Sequence, residues 1–270
     1  MNYFTESRDN IFVAAHRGLS AVYPENTLLA FRKALEAGAD QLETDVRISG
    51  DGRLVLMHDA TVDRTTDGTG RVDEKTFEEL EALDAGVKKG FPGERIPEFT
   101  EFMELVKDHP TVTLDVELKE YPTEGHEGIS YSVCDRVLRI IDDYGFSDRV
   151  VINTFSGALH EYIRKKFGGK YRRHLYYPVS YLGELTEDPY SFPDAFCCCM
   201  FRREKVRGEM NIADPEEFAE MAARGIEPWA GAAVKDAAGV DRAIAAGAVL
   251  ITCNNADEIL ALLRERGKHK

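Results

Sequence analysis

Short apolar runs alternate along the chain with longer segments whose apolar residues recur every three to four positions. The short runs are IFVAA (11–15), QLETDV (41–46), TVTLDVEL (111–118), RVVIN (149–153), RHLYY (173–177), AFCCCM (195–200), GIEPWA (225–230) and AVLIT (248–252). Their length and β-branched content predict strands, and the segments between them read as helices. Pro24 to Ala37 sets Leu28, Phe31 and Leu35 on one face and stops at Gly38. Asp214-Pro215-Glu216-Glu217 is a helix start, with an N-cap, a proline in the first turn and acids that suit the dipole; that helix ends at Gly225. Asn255 followed by Glu258 predicts a capping box opening a last helix that runs to Gly267.

Eight strands with helices between them predict an α/β fold, a (β/α)8 TIM barrel; spacing alone leaves an open doubly wound sheet as the alternative. One stretch breaks the alternation. Ser49-Gly50-Asp51-Gly52 joins QLETDV to RLVLMH, and Asp-Gly between two apolar runs predicts a hairpin whose second arm lies outside the eight. A short helix is expected near Glu74–Leu83, among Gly- and Pro-rich loops. Residues 47–97 therefore read as a small insertion after strand 2, ahead of its helix at about Glu98–Asp108, in a single domain spanning residues 1–270.

Composition narrows the function classes. A formal net charge of −14 over 270 residues repels polyanions, so neither nucleic acid nor stable association with an acidic membrane is expected. An anionic small molecule remains a possible partner if local positive charge receives it. The five cysteines are odd in number, three are adjacent and none form a CxxC pair, which argues against a disulfide framework and against structural zinc. Cys197, Cys198 and Cys199 point to alternate faces of a strand, so they read as a buried strand rather than a metal site. The opening MNYFTESRDN has no signal-peptide pattern, and no apolar run reaches the roughly 18 residues of a membrane span; the expectation is a cytoplasmic protein.

In barrels, chemistry gathers where strands end. The first strand ends in Ala15-His16-Arg17-Gly18, the second carries Glu43 and Asp45, the hairpin ends in His58-Asp59, and the third carries Glu117 and Lys119. Glu43 and Asp45 are two residues apart and share a face, with Glu117 on the next strand. Three carboxylates facing one cavity repel, and a hard divalent cation, Mg2+ or Ca2+, would resolve the repulsion. His16 and His58 bracket the acids and are candidate proton-transfer groups. Arg17 and Lys119 would supply positive charge for a phosphate. His109, His126, His160, His174 and His269 have no such context and receive no role.

AHRG (15–18), PENT (24–27), ExD (43–45), HD (58–59), the run Asp63–Gly70, IPEF (96–99) and ExK (117–119) together resemble the glycerophosphodiester phosphodiesterases, in order and spacing, across the first 120 residues. The resemblance implies that family's barrel with its insertion after strand 2. It also implies hydrolysis of a glycerophosphodiester to glycerol 3-phosphate and an alcohol. By the same likeness Glu43, Asp45 and Glu117 match the metal ligands, His16 and His58 the general acid–base pair, and Arg17 and Lys119 residues near the phosphate. The rival readings are a related barrel acting on lysophospholipids or other phosphodiesters, and a non-catalytic phosphodiester-binding barrel. Two segments depart from the family pattern. Many members carry Trp-Thr-Val-Asn after strand 7, where this chain has Trp229-Ala230-Gly231-Ala232-Ala233; many carry Ile-Thr-Asp at strand 8, where this chain has Ile251-Thr252-Cys253-Asn254. From its position at the end of strand 7, Trp229 is expected to line the cavity as a substrate-binding aromatic, beneath a rim opened by the small residues Ala230 to Ala233; the alternative is core packing behind that strand.

Overall fold

The computed structural model describes residues 10–183, 185–203, 210–231 and 233–270. In chain order the elements are β1 (Phe12–His16), α1 (Leu28–Ala37), β2 (Gln41–Ile48), β3 (Leu54–Leu56), α2 (Phe77–Glu81), α3 (Phe99–Val106), β4 (Thr113–Leu118), α4 (Glu127–Asp143), β5 (Val150–Asn153) and α5 (Gly157–Phe167). They continue as β6 (Arg172–Tyr177), β7 (Ala195–Arg203), β8 (Met210–Ile212), α6 (Pro215–Ala223), β9 (Glu227–Ala230), α7 (Ala237–Ala246), β10 (Leu250–Cys253) and α8 (Ala256–Glu265). All but β3 and β8 pair in parallel, in the order β1-β10-β9-β7-β6-β5-β4-β2, and β1 pairs with β2 to close the barrel. The doubly wound alternative is thereby excluded.

Side-chain alternation divides the strands between two environments. On β2 and β4, Leu42, Val46, Leu114, Val116 and Leu118 face outward into the main apolar core with the helices. The intervening residues, Glu43 and Asp45 on β2 and Asp115 and Glu117 on β4, face the barrel interior. Ala14, Val151, Cys197, Trp229 and Leu250 form a separate apolar cluster inside the barrel. The cysteine run is a buried strand, with Cys197 in that inner cluster and Cys198 in the outer core.

The hairpin after β2 forms where the Asp-Gly signal lies. β3 runs antiparallel to β2 with Arg47 opposite Val55, and Gly52 turns at φ 87°, a conformation that favours glycine. The segment has its own small core of Val55, Met57, Val62, Val72, Leu80 and Ile96. α2 opens on a reciprocal capping box between Thr76 and Glu79.

Four details differ from the sequence expectation. α1 starts at Leu28 because Thr27 is its N-cap, accepting from the Ala30 amide; residues 24–26 form a loop instead. The crossover from β6 to β7 carries short 3-10 turns at Val179–Leu182 and Pro189–Ser191 in place of an α-helix, where Pro178, Gly183, Pro189 and Pro193 punctuate the chain. β8 adds an unforeseen antiparallel partner to β7. The capping box forms at Asp214 and Glu217, but α8 has none: Asn255 Nδ2 donates to Glu258 Oε2 at 2.6 Å and to the Lys235 carbonyl at 3.0 Å. Among the described residues, no helix is long and apolar enough to cross a membrane.

Candidate active site

The C-terminal ends of the barrel strands surround a cavity of about 200 Å³. Glu43, Asp45 and Glu117 converge there, buried, with one carboxylate oxygen from each lying within 4.8 Å of the others. Lys119 Nζ sits against two of them, 2.6 Å from Glu117 Oε1 and 3.1 Å from Asp45 Oδ1. Arg17 reaches the same cluster. Its Nε is 3.2 Å from Asp45 Oδ2, and its backbone amide donates to Glu43 Oε2 at 2.8 Å.

The loop after β1 is shaped for this contact. Arg17 adopts φ 59° and Gly18 φ 81°. A Cβ on Gly18 would lie 2.6 Å from the Ala30 carbonyl carbon, so the close approach of the loop to α1 requires glycine. The PENT run supplies the supports. Glu25 accepts from Arg17 Nη1 at 2.8 Å and from both Arg64 Nη atoms at 2.7 Å; Asn26 Nδ2 donates to Asp45 Oδ2 at 2.8 Å.

His16 ends β1 and His58 follows β3, and both line the cavity. Their Nδ1 atoms are engaged by different partners. His16 Nδ1 lies 2.6 Å from Asn254 Oδ1, and its Nε2 is 3.9 Å from Glu43 Oε2. His58 Nδ1 lies 2.5 Å from Asp59 Oδ1, and Asp59 in turn accepts from Arg64 Nε at 2.6 Å. Arg64 thus ties the support of His58 to the support of Arg17. Beside the cavity, and sharing His16 and Arg17 with it, runs a polar groove of about 480 Å³ that includes Lys89, Lys235 and Asn254.

Residues 16–191 match the model of the glycerophosphoryl diester phosphodiesterase family. The chain belongs to that family. A glycerophosphodiester phosphodiesterase of Caldanaerobacter subterraneus subsp. tengcongensis is 45% identical over 150 residues, which are 53% of this chain and 58% of that protein. The human glycerophosphodiester phosphodiesterase 1 is 46% identical over 114 residues, 40% of this chain and 34% of that protein. The chain therefore aligns with little more than half the length of these curated relatives, or less. Likeness in fold extends further. An Oleispira antarctica phosphodiesterase in complex with the product sn-glycerol-3-phosphate superposes with a TM-score of 0.75 at 23% identity, over 94% of this chain and 96% of that one.

In this glycerophosphoryl diester phosphodiesterase family member, the electrostatics of the cluster suit a cation. Ionised together, as a bound cation would require, the three carboxylates outnumber the two fixed cations beside them, Arg17 and Lys119, by one negative charge. Burial, and then the neighbouring Asp45 charge, push the Glu43 carboxyl well above its ordinary range. Burial likewise raises Glu117, although Lys119 opposes it. Asp45 goes the other way: burial works against its charge, but Lys119 and Arg17 outweigh it and hold the carboxyl below the usual range. Asp45 Oδ1 has only the Lys119 ammonium beside it, at 3.1 Å. A buried cluster of three hard oxygen donors with residual negative charge once ionised fits a divalent ion. Burial, followed by the Arg17 charge, lowers His16 to about 4; burial also lowers His58, with Asp45 the largest opposing influence.

Seven of the eight sequence-assigned residues are thus within one constellation. Trp229 is the exception. It is fully buried in the inner apolar cluster, its Nε1 donates to Glu227 Oε2 at 3.1 Å near the start of β9, and it is absent from the cavity wall. The aromatic wall comes instead from Phe155, Tyr176 and Phe201; the first two rings stack with centroids 3.9 Å apart. Of the small residues expected at the rim, Gly231 does line the cavity, where a Cβ would come 2.5 Å from Cys199 Sγ, while Ala232 lies outside the described residues. His174, given no role from sequence, also lines the cavity, paired with Asp115. Its signal was the inward parity it shares with Tyr176.

Proposed function

We propose that the chain hydrolyses glycerophosphodiesters to glycerol 3-phosphate and an alcohol. The observation that carries this reading is the meeting of three carboxylates, two histidines, Arg17 and Lys119 in one cavity of a chain from this family. The product complex of the Oleispira antarctica neighbour supports a small phosphorylated polyol as the ligand of such a site.

Glu43, Asp45 and Glu117 would hold one divalent cation, Mg2+ or Ca2+. Bound there, it would supply Lewis-acid stabilisation of charge on the phosphoryl oxygens. Arg17 and Lys119 add fixed positive charge beside the same oxygens, in a water-poor pocket where it acts strongly. With their Nδ1 atoms engaged by Asn254 and Asp59, His16 and His58 have Nε2 free for proton transfer. One takes the proton from the nucleophile, either water or a hydroxyl of the substrate. The new O–P bond forms as the bond to the alcohol breaks, and the other histidine protonates the departing alkoxide; where a substrate hydroxyl attacks, the product is a cyclic phosphodiester, and water must then break its ring O–P bond to give glycerol 3-phosphate. The adjoining polar groove gives the leaving alcohol a path outward. Five unpaired, buried cysteines support a reducing compartment, the cytoplasm.

The test is release of glycerol 3-phosphate from choline, ethanolamine, glycerol and inositol diesters, with and without chelator. Release that disappears on chelation is expected. No release from any of them refutes the activity, and preferential turnover of a lysophospholipid moves the chain to the related reaction.

A further inference from the structure

Arg64 lies outside the cavity wall, yet its contacts join two parts of the site that belong to different segments of the chain. Its guanidinium donates from Nε to Asp59 Oδ2 at 2.6 Å, from Nη1 to Glu25 Oε2 at 2.7 Å and from Nη2 to Glu25 Oε1 at 2.7 Å. Each of the two carboxylates also holds a residue of the cavity. Asp59 Oδ1 lies 2.5 Å from His58 Nδ1, and Glu25 Oε1 accepts from Arg17 Nη1 at 2.8 Å. The chain His58–Asp59–Arg64–Glu25–Arg17 is unbroken, and it runs from the insertion to the loop after β1.

The turn that carries Arg64 is fixed from beneath. The Arg64 side chain is 47% exposed, but Val62 and Thr66 on either side of it are fully buried. Thr66 Oγ1 donates to the Val62 carbonyl at 2.9 Å, and the Val62 amide donates to the Gly70 carbonyl at 3.0 Å. A guanidinium suits the place because its N–H groups point in fixed directions within one plane and can serve two carboxylates at once; an ammonium is a point charge without that fork. Burial alone raises both carboxyls, and the hydrogen bonds from Arg64 are the largest influence against it. They help to hold Asp59 at about 2 and Glu25 below its ordinary range. Without Arg64, Asp59 Oδ2 and Glu25 Oε2 lose the partners that set their direction, and the groups they orient are free to turn.

We propose that Arg64 is a positioning residue for both halves of the reaction: through Asp59 it fixes the ring of His58, and through Glu25 it fixes the guanidinium of Arg17. Proton transfer and phosphate binding then depend on one side chain that touches no reacting atom. This inference rests on the hydrolysis proposed above, in which His58 moves a proton and Arg17 faces the phosphate.

The experiment measures kcat for glycerophosphocholine, calorimetric binding of sn-glycerol 3-phosphate in Mg2+, and Tm. It compares the wild type with Arg64→Ala, Arg64→Lys, Asp59→Asn and Glu25→Gln. Misplacing a positioned group by about 1 Å costs on the order of 10²-fold, so Arg64→Ala should lower kcat by about 10- to 100-fold and weaken glycerol 3-phosphate by about 10-fold. Its Tm should stay within about 3 °C of the wild type, because half-exposed ion pairs contribute little to stability. Asp59→Asn should lower kcat with affinity kept, and Glu25→Gln should weaken affinity with the smaller effect on kcat. A general loosening of the fold would not separate the two parameters in this way. Arg64→Lys keeps the charge without the fork and should stay impaired in both. Full recovery in Arg64→Lys, or kcat and affinity in Arg64→Ala both within about 2-fold of the wild type, would overturn the proposal. Should Arg64→Ala unfold, the half-variants decide, and parallel losses of kcat and affinity in each of them refute it. If the wild type turns over no diester, the hydrolysis fails and the His58 half fails with it. The binding arm then judges the Arg17 half: weaker affinity in Arg64→Ala and Glu25→Gln keeps it, and unchanged affinity removes it.

Discussion

Lys119 is the most informative residue to remove. Its ammonium is buried and lies 2.6 Å from Glu117 and 3.1 Å from Asp45. At an effective dielectric constant of about 20, each contact is worth roughly 5–6 kcal/mol before desolvation is counted. Desolvation of the three groups consumes most of that. Removing one partner of a buried ion pair costs about 3–5 kcal/mol, because the remaining charge stays buried and unpaired. Lys119→Met keeps the length and removes the charge, so in chelator the variant should unfold about 6–10 °C below the wild type, at roughly 2 °C per kcal/mol for a chain of this size. The structure also predicts how this loss is repaired. With Lys119 gone, the excess negative charge of the cluster rises from one to two, which strengthens its attraction for a divalent ion. A ligand at about 100 times its dissociation constant stabilises the folded state by about 2.7 kcal/mol, near 5 °C here. Differential scanning calorimetry in chelator and in millimolar Mg2+ or Ca2+ should therefore show a larger metal-induced rise in Tm for Lys119→Met than for the wild type. A loss under about 2 °C in chelator would show that the pair contributes little. Equal metal shifts in the two proteins would refute the idea that Lys119 and the cation neutralise the same carboxylates.

His16→Ala and His58→Ala should each lower turnover by on the order of 10²-fold or more, while the metal-induced rise in Tm survives; near-normal turnover removes that histidine from the mechanism. Trp229→Phe should leave KM for glycerophosphocholine unchanged, and Trp229→Ala should cost about 3–5 kcal/mol of stability; a large KM effect with intact stability would restore the residue to the cavity wall. Burial, then the Arg173 charge, depress His160 to about 3. The unfolded chain therefore binds a proton at this site, near pH 6.5, that the folded chain refuses, and stability should fall as pH drops from about 6.5 toward 3. In His160→Phe the Tm–pH curve should be flatter over that window, and an unchanged slope would show that the acid lability lies elsewhere.

The barrel strands are legible because outward positions must be apolar under the helices, whatever the interior requires. Leu114, Val116 and Leu118 satisfy that rule while Asp115 and Glu117 point inward. The crossover from β6 to β7 is less legible because it has no amphipathic face to detect: Pro178, Pro189 and Pro193 exclude a regular helix, and the short turns pack by scattered aromatics such as Tyr181 on Phe201. The three clustered carboxylates and the two histidines stand out as acids and imidazoles at strand ends. Their supports do not, because Glu25, Asn26, Asp59 and Arg64 belong to loops whose geometry sequence spacing does not encode. Asn26 at φ 56° reaches Asp45 across the barrel mouth, a contact 19 residues apart in sequence.

The misplacement of Trp229 follows from a different limit. Position near the end of a strand says which end of the barrel a side chain approaches, but its depth depends on the stagger between neighbouring strands, which the barrel's shear sets and the sequence of one strand does not contain. β9 is paired so that Trp229 stands opposite Leu250, the first residue of β10, and opposite Cys199 in mid-β7. That register drops the indole below the cavity. The same stagger brings His174 opposite Asn153 on one side and Cys197 on the other, so its ring reaches Asp115 across the barrel. Once the register is known, the inward-facing carboxylates locate their neighbours: two residues back from Glu117 is Asp115, and its partner is His174, which sequence spacing had left without a role.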